Sequence, residues 1–176
     1  LVAKYFDDDV IYTVTGGAES GAAFSALPLD HILFTGASSI GKMIMAAAAQ
    51  NLTPVTLELG GKSPVMIDDD FPIELAAERI VGGKCMNAGQ VCVSPDYVFV
   101  PESKLEAFVS EAKVVFNSQF PTVHGNADYT AVINDRHYER LNGYLEQAQA
   151  AGARIESLSA EPLKGDDRRL PIQLVI

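Results

Sequence analysis

His31-Ile32-Leu33-Phe34-Thr35 is a nearly continuous apolar run that stops at Gly36, and a second run, Val55-Thr56-Leu57-Glu58-Leu59, stops at Gly60-Gly61. The first run is of the kind buried in parallel sheets, and the second reads as a further strand. Between them, Gly36-Ala37-Ser38-Ser39-Ile40-Gly41 is followed by a helix expected from about Ile40 to Gln50. Strand, glycine-rich turn and helix form the arrangement that offers backbone N–H groups and a positive helix end to a phosphate. Val65-Met66-Ile67 predicts a strand, and Pro72 behind Asp68-Asp69-Asp70 opens a helix with Ile73, Ala76, Ala77 and Ile80 on one face. That helix runs towards Met86, stops at Asn87 and Gly89, and is followed by the strand Tyr97-Val98-Phe99-Val100.

The remaining elements are read from local signals. Val10 to Val14 is β-branched and bounded by Gly16-Gly17, which predicts a strand, and Ala18 to Ala26 predicts a short helix ended by Pro28. Ser103-Lys104-Leu105-Glu106 has the form of a capping box, so a helix is expected to about Asn117. Phe120 to Thr130 reads as a surface loop, and Asn134-Asp135 should cap a helix with Leu141, Tyr144, Leu145 and Ala148 as its apolar stripe, ended by Gly152. Strands are expected at Arg154 to Leu158 and Ile172 to Ile176, with a charged loop, Glu161 to Arg169, between them.

Composition narrows the function classes. The chain has 176 residues, 48% hydrophobic and 20% charged, the balance of a globular protein, with a net charge of −10. That charge argues against a nucleic-acid partner, whose binding rests on clustered Lys and Arg. No apolar run approaches the ~20 residues that span a bilayer, so no membrane role is expected. The chain starts at Leu1 without a methionine, which suggests a piece of a longer protein. Two cysteines, Cys85 and Cys92, make neither a disulfide framework nor a zinc site, and His31, His124 and His137 are scattered without metal-ligand spacing. No metal is expected, and a reducing, cytoplasmic compartment fits free thiols.

Two residues stand out chemically. Cys92 closes the loop Asn87-Ala88-Gly89-Gln90-Val91, past a helix, where a thiol can be partly exposed; Cys85 falls on the helix and reads as packing. A thiolate attacks carbonyl carbon, and a carboxylate can activate the water that later releases a thioester. Glu58, flanked by leucines, is a candidate for that base, since apolar company opposes ionisation; it also reads as a strand-edge Glu paired with Lys62. The Gly36–Gly41 turn could seat a phosphate at a helix N-terminus, or serve as a tight connection and nothing more.

These blocks resemble the aldehyde dehydrogenase superfamily from about Thr15 to Val175, most strongly at Phe34 to Gly41, Pro54 to Pro64 and Asn87 to Tyr97. The wording of Leu52 to Pro64 and Ser94 to Tyr97 is similar to the coniferyl aldehyde and class 3 branch. The resemblance implies an α/β fragment: the end of a Rossmann-like cofactor domain over residues 1–59 and the first part of a catalytic domain over 60–176. It implies NAD or NADP as cofactor, beside Gly36, Ser38, Gly41 and Leu59, with Cys92 as nucleophile and Glu58 as general base. An aldehyde, aromatic or medium-chain, would be oxidised to the acid, with the oxyanion held in part by the Cys92 backbone N–H, in a homodimer or higher homo-oligomer. Ala37 departs from the family's usual Ser, and the upstream Asn of the oxyanion hole is outside the chain, so the piece alone is expected to be inactive. A cofactor-independent thiol esterase and a non-catalytic structural fragment are the competing expectations.

Overall fold

The computed structural model describes residues 1–163 and 167–176, which form two compact units, Leu1–Gly60 and Gly61–Ile176. The first unit contains helices α1 (Val2–Tyr5) and α2 (Ala18–Ser25), strand β1 (Ile32–Gly36), helix α3 (Ser38–Ala49) and strand β2 (Val55–Leu59). β1 and β2 pair in parallel, with Ile32 opposite Val55 and Gly36 opposite Leu59, so β1-α3-β2 is a βαβ crossover. Its return is fixed by hydrogen bonds: Thr53 N–H donates to the Ala48 carbonyl (3.1 Å), and the Thr53 hydroxyl to that of Leu29 (2.9 Å). α3 begins at Ser38, two residues ahead of the expected start.

The strand expected at Val10 to Val14 does not form. Val10, Tyr12 and Val14 are exposed and no strand pairs with them among the described residues. β-branched side chains favour an extended backbone, but a strand exists only through its ladder partners.

The second unit repeats the crossover. Strand β3 (Ser63–Met66) pairs in parallel with β4 (Pro95–Phe99), and helix α4 (Ile73–Cys85) connects them. Both strands lie one or two residues earlier than the sequence suggests, and a register shift at Ser63/Pro64 falls where proline removes a ladder donor. Helices α5 (Leu105–Gln119) and α6 (Asp135–Ala150) follow, then the antiparallel pair β5 (Ile155–Ser157) and β6 (Gln173–Val175). The expected capping box is not made. Ser103 lies in a 3-10 turn, Glu102–Lys104, closed by Lys104 N–H to the Pro101 carbonyl (2.8 Å), so Lys104 occupies the cap without a side-chain bond. Asn134 does cap α6, its side chain accepting from His137 N–H at 3.0 Å. No residue of α6 is buried; its apolar stripe is only partly covered, and Tyr144 is exposed. Part of the charged loop, 164–166, lies outside the described residues.

One core cluster of this unit gathers Val81, Cys85, Ala112, Phe116, Val123, Tyr129 and Leu158. A second, of Ile67, Ala76, Ala77 and Phe108, seats α4 and α5 near β3. Burial pushes the Cys85 thiol from an ordinary 9.0 up to about 11, and pushes the Tyr129 phenol upward as well. Both groups are therefore held neutral in the folded state and ionise more readily once unfolded. The stability they contribute is complete below about pH 9 and is lost as pH rises towards 11. Urea midpoints should hold from pH 8 to about 9 and fall from there to 11, and Cys85→Ala should flatten the part due to the thiol.

Candidate functional site

In the first unit, four of the sequence candidates come together at the carboxyl ends of the parallel strands. Gly36 is paired with Leu59 across the ladder, and Ser38 opens α3 immediately after β1. Gly41, one turn into α3, is buried, and a Cβ there would stand 3.1 Å from Leu59 Cδ2 and 3.4 Å from Leu57 Cδ1. Glycine at 41 thus lets the helix lie directly on β2. Gly36 is constrained differently, because the Phe34 ring occupies its side-chain position, 2.5 Å from a notional Cβ. The α3 N-cap is Ala37, with no side-chain cap; its carbonyl accepts from Ile40 N–H (3.0 Å) and Gly41 N–H (2.9 Å). The first N–H groups of a helix have no intrahelical partner, and together with the helix dipole they attract an anion. This corner is where open parallel sheets place ligands.

Glu58 lies beside that corner, opposite Thr35 in the ladder. It is exposed, which corrects the expectation of an apolar environment. Successive residues of a strand point to opposite faces, so Leu57 and Leu59 are half-buried on one side while Glu58 projects from the other. Lys62, named as its alternative partner, belongs to the second unit and is bonded there to Asp96 at 2.7 Å.

Cys92 belongs to the second unit, so the base candidate and the thiol candidate are carried on different units. The loop that presents the thiol is unusual. After α4, the 3-10 turn Met86–Gly89 holds Asn87 (φ 49°), Ala88 (φ 52°) and Gly89 (φ 78°) in consecutive left-handed conformations. Asn87 Nδ2 donates to the Gln90 carbonyl at 3.1 Å, and Gln90 N–H donates to the Asn87 carbonyl at 3.1 Å. The Gln90 side chain reaches further, with Nε2 donating to the carbonyls of Asn87 and Ala131 (3.1 Å each) and Oε1 accepting from Ile133 N–H (2.9 Å). Gln90 had no distinguishing signal in the sequence beyond its place in the loop.

On the other side of the loop, Gly61 passes so close that a Cβ would lie 3.2 Å from the Cys92 carbonyl oxygen. Lys84 runs under Gly89, whose notional Cβ would meet Lys84 Cε at 3.0 Å. Burial lowers the Lys84 ammonium from its ordinary value, Asp96 opposes that, and Lys62 reinforces it. Ser94, two residues past the thiol, has a buried hydroxyl without a hydrogen-bond partner among the described residues. The two cysteines are placed as the sequence suggests: Cys92 is exposed and Cys85 buried. Among the described residues, no cluster of three or more His, Cys, Asp or Glu could hold a metal ion, and no helix is long and apolar enough to cross a membrane.

Known proteins resemble the chain closely. A probable coniferyl aldehyde dehydrogenase of Pseudomonas aeruginosa is 53% identical over 176 residues, all of this chain and 36% of that protein. A dimeric NADP-preferring aldehyde dehydrogenase of Rattus norvegicus is 40% identical over 152 residues, 86% of this chain and 34% of that one. Among solved structures, the substrate-bound state of Staphylococcus aureus AldH superposes with a TM-score of 0.85 at 35% identity, covering 99% of this chain and 37% of that one. A Mycobacterium tuberculosis aldehyde dehydrogenase complexed with NAD+ superposes with a TM-score of 0.74 at 30% identity, covering 91% and 34%. The chain therefore spans about a third of the length of these relatives and is an α/β fragment of their fold. With residues 1–170 matching the Aldehyde dehydrogenase family, the chain belongs to that family.

Proposed function

We propose that the protein carrying this chain oxidises an aldehyde to a carboxylic acid through a thioester on Cys92. The observation that carries this reading is the exposed thiol at the end of a tightly restrained loop, in a chain of this family. The Cys92 thiolate adds to the aldehyde carbon, and its backbone N–H helps to hold the oxyanion. NAD or NADP fits the corner formed by Gly36, Ser38, Gly41 and Leu59, where the uncapped N-terminus of α3 faces outward and would hold the pyrophosphate. The chemistry supplied by the nicotinamide, when bound, is hydride acceptance from the aldehyde carbon. Cys92 is left acylated. Glu58 then takes a proton from the water that attacks the thioester, releasing the acid and the thiol.

On this reading residues 1–59 end a cofactor domain and 60–176 begin a catalytic one. The relatives' names favour an aromatic aldehyde such as coniferyl aldehyde and a dimer, and the free thiols fit a reducing, cytoplasmic compartment. The 176 residues alone are proposed to be inactive, because they span a third of such an enzyme and orientation supplies much of its rate. A polypeptide of the relatives' length carrying this chain should reduce NAD or NADP in the presence of aromatic and medium-chain aldehydes. Cofactor-free hydrolysis of a nitrophenyl ester, with no calorimetric binding of either nucleotide, would support a thiol esterase instead. Ala37→Ser sharpens the cofactor assignment. A serine N-cap should stabilise α3 by about 1 kcal/mol in urea unfolding. If the corner seats the pyrophosphate, the same hydroxyl should also lower the nucleotide dissociation constant severalfold.

A further inference from the structure

The thiol of Cys92 is presented by a turn that L-residues avoid. A left-handed Ala88 crowds its Cβ against the next carbonyl oxygen, and a run of three such residues persists only where the surroundings over-determine it. The Gln90 carboxamide supplies that restraint. Each of its polar atoms is engaged, and its orientation is dictated by its partners: turned over, the amide would face its NH2 to the Ile133 N–H and its oxygen to two carbonyls. The segment it grips is itself held. Val132 N–H donates to the Arg168 carbonyl (2.9 Å), the Arg168 guanidinium donates to the Ile133 carbonyl (2.9 Å), and Asn134 caps α6 immediately afterwards.

We propose that Gln90 is the positioning residue for the thiol: its side-chain amide ties the left-handed 87–89 turn to residues 131–133 and so fixes where Cys92 holds its sulfur. The inference rests on Cys92 being the nucleophile, and it adds the device that aims it. Aim matters because a reacting atom displaced by about 1 Å can lose ~10²-fold in rate.

Cys92 offers its own probe, since the other cysteine is buried. A methanethiosulfonate nitroxide attached to Cys92 in the 176-residue chain should give a restrained electron paramagnetic spectrum. Gln90→Ala and Gln90→Met should both convert it largely to a mobile one, while Cys85 stays protected from alkylation. Gln90→Met keeps the length and the apolar stem, so it separates lost hydrogen bonds from lost packing. In a polypeptide of the relatives' length, both variants should lower kcat ~10²-fold, leaving the aldehyde KM and the nucleotide dissociation constant in place. Gln90→Glu, still able to accept from Ile133 N–H, should recover part of kcat. Unchanged spectra would overturn the proposal, as would a mobile label with an unchanged kcat. Absence of turnover in the unmutated protein, measured first, would instead overturn the aldehyde reading and the positioning role with it.

Discussion

Cys92→Ala is expected to remove aldehyde turnover by ~10⁴-fold or more in a polypeptide of the relatives' length, because nothing else in the loop can form the covalent intermediate. Its stability should hardly move. The side chain is exposed, and exposed substitutions outside special features usually change stability by no more than about 0.5 kcal/mol. The contrast between the two measurements is what makes the variant informative: activity lost at an unchanged urea midpoint assigns the thiol to chemistry. Turnover within tenfold of the unmutated protein would transfer the nucleophile elsewhere. Cys85 is a poor substitute, since burial holds its thiol neutral to about pH 11.

The elements of the two crossovers were legible in the sequence as strand, turn and helix, whereas the parallel pairing of the strands across each helix is what the structure adds. A run such as Ile32 to Gly36 calls for a neighbour strand and a covering helix, and the chain supplies both within 30 residues or so, though only one face is covered: Ile32 is buried while Leu33 and Thr35 are exposed. Val10 to Val14 has equal β character but no strand partner among the described residues, and partnership is not a local property. Glu58 shows a subtler limit. Its flanking leucines suggest an apolar setting, yet in a strand the nearest neighbours in sequence are those on the opposite face. The capping motif at Ser103 was overruled by a competing local structure, a 3-10 turn with its own hydrogen bond. At the candidate site, the exposure of Cys92 followed from its place in a loop beyond a helix. The grip of Gln90 could not be read, because its partners Ala131 and Ile133 are more than forty residues away and a glutamine announces nothing about which distant backbone it will meet.

The core beneath that loop carries the largest expected effect on stability. Phe116 is fully buried, with ring centroids 5.7 Å from Phe120 and 5.9 Å from Tyr129, while Phe120 and Tyr129 stand edge to face at 5.0 Å. Phe116→Ala removes two of these three contacts and leaves a cavity that Val81, Ala112, Val123 and Leu158 can fill only in part. The expected cost is ~3–5 kcal/mol, a large share of the roughly 5–15 kcal/mol that stabilises a typical domain. Urea unfolding of the 61–176 unit should show the midpoint fall with little change in slope; a loss below about 1 kcal/mol would mean that the aromatic group is not the core of this unit. The same variant probes the link from packing to site. Cys85 lies in this cluster, and Ala88 of the left-handed turn packs against it. Opening the cavity should therefore speed alkylation of Cys85 and loosen a label on Cys92 together, because the floor of the loop and the wall of the thiol's buried neighbour are the same set of side chains.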